Sequence, residues 1–348
     1  MHHSLLLALN DVSPQNLSIF DPASPPAEAI HQLSMLVLAI TGGIFLVVEG
    51  ILIYSLVRFR SPHNPRNGEP PQVYGSQPIE IAWTAAPALI VFVLALVIVR
   101  TEWEVRGDPE KLQPELKESK PLRVTAIGHQ WWWEYVYESF GDEKLDFLTA
   151  NELHVPASNR QVPSERRPVY LTLKSADVNH SFWVPRLAGK TDLIPGRTNT
   201  MWFETSQTGI FFGQCAEYCG TQHANMLLRV SVDPPEQFEK WLDNERKNAF
   251  ESDDAAIRKG KQVFLAQSCV NCHRVSGTSA RGKVGPDLTH LMGRATLAGG
   301  TIDNDRKGEN LRRWIEDPQT IKPGCLMPAF GLSASDLDGV VRYLSSLE

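Results

Sequence analysis

Two apolar runs constrain this chain more than any other feature: 35–57 (MLVLAITGGIFLVVEGILIYSLV) and 79–99 (IEIAWTAAPALIVFVLALVIV). A helix needs ~20 apolar residues to cross a hydrocarbon core. Each run meets that length with one carboxylate, Glu49 in the first and Glu80 in the first turn of the second. A buried core helix can be as apolar, but two such runs joined by a polar loop (SPHNPRNGEPPQ) read as a transmembrane hairpin. No Lys or Arg precedes the first run, whereas Arg58, Arg60 and Arg66 crowd the loop. The excess of positive charge places that loop in the cytoplasm, and the N-terminus and everything after Arg100 outside. The first nine residues (MHHSLLLAL) lack a basic residue and an A-x-A cleavage signal, so they make a poor signal peptide. Targeting is expected to come from residues downstream of them.

A length of 348 residues exceeds one ordinary domain. The net charge of −6 gives no basic footprint and excludes nucleic acid as a natural partner class. Residues 101–121 read as a charged, proline-punctuated linker after the N-terminal segment 1–30 and the hairpin 31–100. From Leu122 to about Val232, short segments rich in Val, Thr and aromatics (LRVTAIGHQWWWEYVY, PVYLTLKSA, TNTMWFETS, MLLRVSV) recur between Gly, Pro and Asn. That spacing predicts an antiparallel β-sandwich or barrel, closed by a helix in EQFEKWLDNERKNAF and extending over 122–249. A small all-α unit follows over 250–348. Its first helix is expected to start at an N-cap Ser252, and its last at Ser333 ahead of Leu337, Val340, Val341 and Leu344.

There are five cysteines, an odd number in close pairs, which is not a disulfide framework. The densest chemistry lies in Cys215-Ala-Glu217-Tyr-Cys219-Gly-Thr-Gln-His223-Ala-Asn-Met226. Two thiolates, an imidazole and a thioether are soft or borderline donors, a set that favours copper. A Cys215–Cys219 disulfide or a structural zinc site are the alternatives, and neither explains Met226. For a two-metal site this loop is one His short, and His180, after a predicted strand at the start of a turn, is the candidate; a lone His is also often structural.

Cys269-Val-Asn-Cys272-His273 is the attachment sequence of a covalent c-type haem, with His273 as proximal ligand. A redox dithiol would expect a thioredoxin-like βαβ setting, and none surrounds it. A Met opposite the His raises a haem potential. Met327 is the candidate sixth ligand and Met292 its rival. Cys325, two residues before Met327, reads as a buried free thiol without a functional account.

Several elements together resemble subunit II of haem-copper cytochrome c oxidases: Asp177-Val-Asn-His180-Ser with Val184-Pro185, Lys190-Thr-Asp192 with Pro195-Gly-Arg197, and the whole Cys215-to-Met226 loop. Gly128-His-Gln-Trp131-Trp-Trp133 and the hairpin extend the likeness over roughly 30–245. The resemblance implies a cupredoxin-like domain holding the dinuclear copper centre (CuA). Cys215 and Cys219 would bridge both coppers, His180 and His223 would each bind one, Met226 would sit on one, and Glu217 would give its backbone carbonyl to the other. It further implies an exposed electron-entry tryptophan at Trp131. The Glu217 side chain would bind a magnesium ion shared with the catalytic subunit, and Glu80 would lie at the mouth of a proton pathway. Glu49 has no counterpart.

The C-terminal part resembles class I cytochromes c, in which Gly285-Pro286-Asp-Leu288 follows the proximal His and Met327-Pro328-Ala-Phe330 comes later; that order favours Met327. A haem domain fused behind a copper domain resembles the caa-type oxidases. The implied role is to pass electrons from haem c through CuA to the catalytic subunit I, which reduces oxygen to water and translocates protons. Subunit III is the further implied partner. A quinol:cytochrome c oxidoreductase or a cytochrome c is the upstream donor, and the bacterial inner membrane, with both cofactors on the periplasmic side, is the location. A nitric or nitrous oxide reductase component, or a membrane-anchored shuttle, are the alternatives. A quinol oxidase subunit would lack the copper ligands that are present here.

Overall fold

The computed structural model describes residues 18–60, 72, 74–107 and 109–348. The leading nine residues and most of the loop between the apolar runs, Arg66 included, lie outside the described residues.

Helix α1 spans Pro25–Arg58 and α2 spans Gln77–Arg106. Both run past the apolar stretches that announce them, because hydropathy marks only the part that suits a bilayer. The α1 extension begins on Pro25 and Pro26, residues pre-set for a first helical turn. The α2 extension runs into the predicted linker, supported by the ion pairs Arg100–Glu104 at 2.9 Å and Glu102–Arg106 at 2.6 Å one turn apart. Both helices present exposed apolar surface along their length, as a bilayer solvent requires. Glu80 lies exposed in the first turn of α2, and Glu49 is half-buried on α1.

The remaining described chain, 109–348 with the residues leading into α1, forms one compact unit. After the short helix α3 (Pro109–Leu112), ten strands build a sandwich. One sheet has the order β3 (Glu143–Ala150), β2 (Trp132–Phe140), β1 (Leu122–His129), β5 (Val169–Ser175), β8 (Asn199–Phe203). The other has β4 (Glu152–Pro156), β10 (Leu227–Asp233), β9 (Gly209–Cys215), β6 (His180–Trp183), β7 (Thr191–Leu193). Pairing is antiparallel except for β1 with β5 and β4 with β10. Strand burial alternates, as in β10 and β2, so one face of each sheet supplies a shared core that includes Trp133, Tyr135, Phe182 and Phe211. This is the cupredoxin-like domain. Helix α4 (Pro235–Glu245) closes it with Phe238 and Leu242.

A second core belongs to the helical region. It comprises α5 (Ala255–Ala266), α6 (Cys269–Cys272), a two-residue ribbon β11 (Thr296–Leu297) with β12 (Ile302–Asp303), α7 (Glu309–Glu316), α8 (Pro318–Ile321) and α9 (Ala334–Leu344). The cap of α5 is Asp254, not Ser252: the Asp254 carboxylate accepts from the Ala256 N–H at 2.6 Å. Ser252 instead accepts from the Asp254 N–H, holding the capping residue from outside the helix. Ser333 caps α9 as expected, accepting from the Asp336 N–H, and Leu337, Val340, Val341 and Leu344 are buried beneath it.

Candidate functional site

The first constellation sits at one end of the sandwich. In the antiparallel pairing of β6 with β9, Phe182 lies opposite Cys215, and the Ala216 N–H donates to the Ser181 carbonyl at 2.9 Å. His180, at the start of β6, therefore faces the residues that come after Cys215. The loop folds back so that the Cys215 N–H donates to the Met226 carbonyl at 3.0 Å, bringing Met226 beside both thiols. The Sγ atoms of Cys215 and Cys219 are 3.8 Å apart. His180 Nδ1 lies 3.9 Å from Cys215 Sγ, His223 Nδ1 3.6 Å from Cys219 Sγ, and Met226 Sδ 3.7 Å from Cys219 Sγ. The Glu217 carbonyl is 3.1 Å from Cys215 Sγ. All six donors named from the sequence converge on one volume. His180, Cys215, Cys219 and Met226 are buried there, and both cysteines are free thiols.

The electrostatics of this volume ask for a cation. The Cys215 thiol is pulled down to about 3 by the hydrogen bond from its neighbour Cys219, and Cys219 is pushed up by that same hydrogen bond, by burial and by the charge on Cys215. Two thiolates this close repel unless positive charge sits between them, and soft metal ions supply it. Burial pulls the His180 imidazole down, but its bonds to Asp177 and Cys215 outweigh burial and leave it above its usual value. Asp177 Oδ1 holds His180 Nε2 at 2.8 Å, which turns Nδ1 towards the sulfurs. A carboxylate fixing the far nitrogen of a ligating imidazole is a recurrent feature of metal sites. Gly128 on β1 makes room for this ring: a Cβ there would meet His180 Cδ2 at 2.7 Å. The donor set fits a dinuclear copper centre. The Glu217 carboxylate is half-exposed and lies 3.9 Å from Lys190 Nζ.

The second constellation lines a cleft of about 1250 Å³, its solvent-open mouth included. Cys269, Cys272, His273 and Met327 all face it, whereas Met292 is buried away from it and donates its N–H to the Leu347 carbonyl. Cys325 also faces the cleft and is only partly buried, so the expectation of a buried thiol is corrected. The Pro286 carbonyl takes His273 Nδ1 at 2.8 Å, leaving Nε2 as the free nitrogen. Burial holds this imidazole below its usual value, so it is neutral and able to ligate. Gly285 lies so close that a Cβ would sit 2.6 Å from His273 Cε1. The buried Arg294 also lines the cleft, and its Nε has no partner among the described residues, which suits an acidic edge of a bound group. Free thiols, a neutral imidazole, a thioether and an apolar cleft together fit a covalently attached haem.

Gln130, Trp131, Trp132 and Asn151 of the sandwich form one wall of that cleft. Trp131 is only 8% exposed, so the expectation of an exposed entry tryptophan is corrected here. The segments around Gly299 and Gly324 lie against it, the former 2.6 Å from the Trp131 carbonyl when measured from the Cβ an alanine would carry. On its other side, the Trp131 indole N–H donates to the Cys219 carbonyl at 3.0 Å. One side chain thus touches both constellations. Sequence reasoning gives no role to the Asp177 carboxylate, to Arg294 or to Lys322, which bonds the Trp131 carbonyl. Asp177 stands three residues before His180, a spacing that marks it; the other two carry no local signal.

Two apolar helices, a cupredoxin-like sandwich and a helical cytochrome c region define a class: membrane-anchored electron-transfer proteins. Family models match in the same order: "Cytochrome C oxidase subunit II, transmembrane domain" over residues 12–100, "Cytochrome C oxidase subunit II, periplasmic domain" over 122–232 and "Cytochrome c" over 257–348. Cytochrome c oxidase subunit 2 of Alkalihalophilus pseudofirmus is 34% identical over 337 residues, covering 96% of this chain and 92% of that one. The subunit 2 of Bacillus sp. PS3 is 32% identical, covering 95% and 92%. The crystal structure of the periplasmic domain of subunit II of cytochrome oxidase of Bradyrhizobium japonicum is 31% identical, with a TM-score of 0.31, covering 36% of this chain and 93% of that one. The chain belongs to the cytochrome c oxidase subunit II family, in the form that carries a cytochrome c domain behind the β-domain.

Proposed function

We propose that this chain is the electron-entry subunit of a caa-type cytochrome c oxidase. It passes electrons from haem c to CuA and on to the catalytic haem-copper subunit, where oxygen reduction to water is coupled to proton translocation. The observation that carries the reading is Trp131, which lines the haem cleft and bonds the backbone of Cys219. Cys269 and Cys272 would hold the haem covalently, with His273 and Met327 as the residues that would bind its iron. His180, Cys215, the Glu217 carbonyl, Cys219, His223 and Met226 would hold the coppers. When bound, the two groups supply one-electron carriers whose charge is spread over a macrocycle and over two metals.

The chain's own residues do the rest. Burial of Cys215, Cys219, His180 and Met226 excludes water, so little of the surroundings must reorganise when charge arrives. Asp177 holds the His180 ring, and the strand pairing of β6 with β9 fixes the spacing of the donors. On this reading the chain contributes electron entry to an oxidoreductase complex, and the catalytic chemistry belongs to the haem-copper subunit.

The Glu217 side chain, close to Lys190, is assigned to a magnesium ion shared with subunit I, and Glu80 to the entrance of a proton pathway. Both soluble-side domains are assigned to the periplasmic face of a bacterial inner membrane, a reading that the loop charges support. Subunits I and III are the partners, and a quinol:cytochrome c oxidoreductase or a cytochrome c is the donor. Elemental and optical analysis of the purified chain with its co-purifying subunits tests the reading. Two coppers and one covalent haem per chain, with a near-infrared mixed-valence band, are expected. Zinc, or a Cys215–Cys219 disulfide in place of copper, would overturn the copper assignment. Recovery without a haem-bearing polytopic subunit would favour a free-standing shuttle.

A further inference from the structure

Lys322 lies just after α8 and five residues before Met327, and it is 2% exposed. Its Nζ donates to the carbonyls of Trp131 at 2.7 Å, Ala298 at 2.8 Å and Asn225 at 3.0 Å. Three protons meet three acceptors. Two of those acceptors belong to the sandwich and one to the cytochrome domain. No carboxylate accompanies the ammonium among the groups that act on it. Burying a charge without a counter-ion is expensive, and an apolar side chain of the same length would fill the space without that cost. Packing alone therefore does not account for a lysine here. Burial lowers its pKa to about 8, so at neutral pH it still enters the seam with all three protons.

The acceptors are placed where the two domains exchange contacts. The Trp131 carbonyl belongs to the residue whose indole bonds Cys219, and Asn225 precedes the ligand candidate Met226. Around the lysine, Gln222 Nε2 donates to the Pro323 carbonyl at 2.8 Å, and the Leu227 N–H to the Gly299 carbonyl at 3.3 Å. Further along the seam the Glu152 carboxylate accepts the N–H groups of Ala295 and Thr296, each at 2.9 Å.

We propose that Lys322 is a positioning residue that latches the cytochrome domain on to Trp131 and so holds the contact between the haem cleft and the copper loop. The inference rests on the electron-transfer reading above. In that step one electron would pass from the bound haem to the bound coppers, with no proton or leaving group involved. The latch contributes geometry, not chemistry. It also covers Trp131, so a soluble donor must deliver to the haem and cannot reach the copper loop by this residue.

The test uses the full-length chain purified with its partner subunits, in wild type and as Lys322→Met, which keeps the apolar stem and removes the three donors. Lys322→Arg is the conservative variant. Copper and haem contents are measured first in the wild type; if either centre is missing there, the functional reading fails and the latch with it. With both centres present, amide exchange at Leu227 and at residues 298–300 is expected to quicken at least ~10-fold in Lys322→Met, the equivalent of one lost charge-assisted hydrogen bond. Haem-to-copper equilibration after flash reduction slows as the docked population falls, with unaltered haem and copper spectra, and Lys322→Arg restores part of both. Exchange and transfer both at wild-type rates in Lys322→Met would overturn the proposal. Faster exchange with unchanged transfer would also overturn it, because the lysine would then fill the seam without setting the contact. Should Lys322→Met not accumulate, Gly299→Ala decides between the same outcomes by the same readouts. Its methyl would stand 2.5 Å from Lys322 Nζ and 2.6 Å from the Trp131 carbonyl oxygen.

Discussion

Helices α5 and α9 cross where Gly260 meets Gly339, and the crossing is asymmetric in a way that can be measured. A Cβ on Gly260 would sit 1.9 Å from the Gly339 carbonyl oxygen, whereas a Cβ on Gly339 would sit 3.3 Å from Gly260 Cα. Alanine at either site gains about 1 kcal/mol of helix propensity. For Gly339→Ala the neighbour yields by a few tenths of an ångström, and the two effects nearly cancel. For Gly260→Ala the obstacle is backbone, so the helices must part by about 1 Å, enough to forfeit a quarter to a half of each dispersion contact between them. Phe264, Leu337, Val340, Tyr343 and Leu344 lie in that interface. Overpacking of this kind costs ~1–3 kcal/mol and more where backbone blocks the way. The expected net loss for Gly260→Ala is thus about 2 kcal/mol, against roughly zero for Gly339→Ala. Guanidinium unfolding followed by haem absorbance, with amide exchange in α5 and α9, reads both values. Equal stabilities, or Gly339→Ala the weaker of the two, would refute the geometry.

Two single side chains give further outcomes. Asp177→Asn should lower copper affinity about 10–100-fold, the usual loss when the carboxylate behind a ligating imidazole is removed; titration against a copper chelator reads it, and an unchanged affinity would strip Asp177 of its role. Burial lowers the His154 pKa, but the bond to Asp233 at 2.8 Å and that residue's charge raise it further, leaving it above 6.5. Its contribution to stability is then complete below pH 6.5 and disappears as pH rises through the folded value. The denaturation midpoint of the wild type should fall across that window while that of His154→Gln stays flatter; parallel curves would dismiss the pair.

What the sequence discloses here is what chain neighbours can encode. The apolar spans, the Cys215-to-Met226 loop and Cys269-Val-Asn-Cys272-His273 each lie within a short stretch, and their chemistry needs no knowledge of the fold. His180 stands 35 residues from Cys215, so local sequence offers it only as a candidate that the resemblance strengthens; its place beside Cys215 then follows from the register of β6 on β9. The cap at Asp254 escapes the sequence because adjacent Ser and Asp candidates compete for one position. The charged end of α2 escapes it because ion pairs one turn apart can extend a helix that hydropathy has already dropped. The burial of Trp131 is invisible in the sequence. The segments around Gly299, Gly324 and Lys322 lie against it, the lysine 191 residues away in the chain, and no periodicity links them.

The shared wall of the haem cleft has a consequence for inheritance. Because Gln130, Trp131, Trp132 and Asn151 line the same pocket as the proposed haem ligands at 269–327, the two modules are not interchangeable parts. A cytochrome segment borrowed from another lineage would arrive without its fourth side, its macrocycle more open to water and its potential shifted accordingly. Substitutions along this seam must be accepted in pairs, so the fused halves are bound to diverge together.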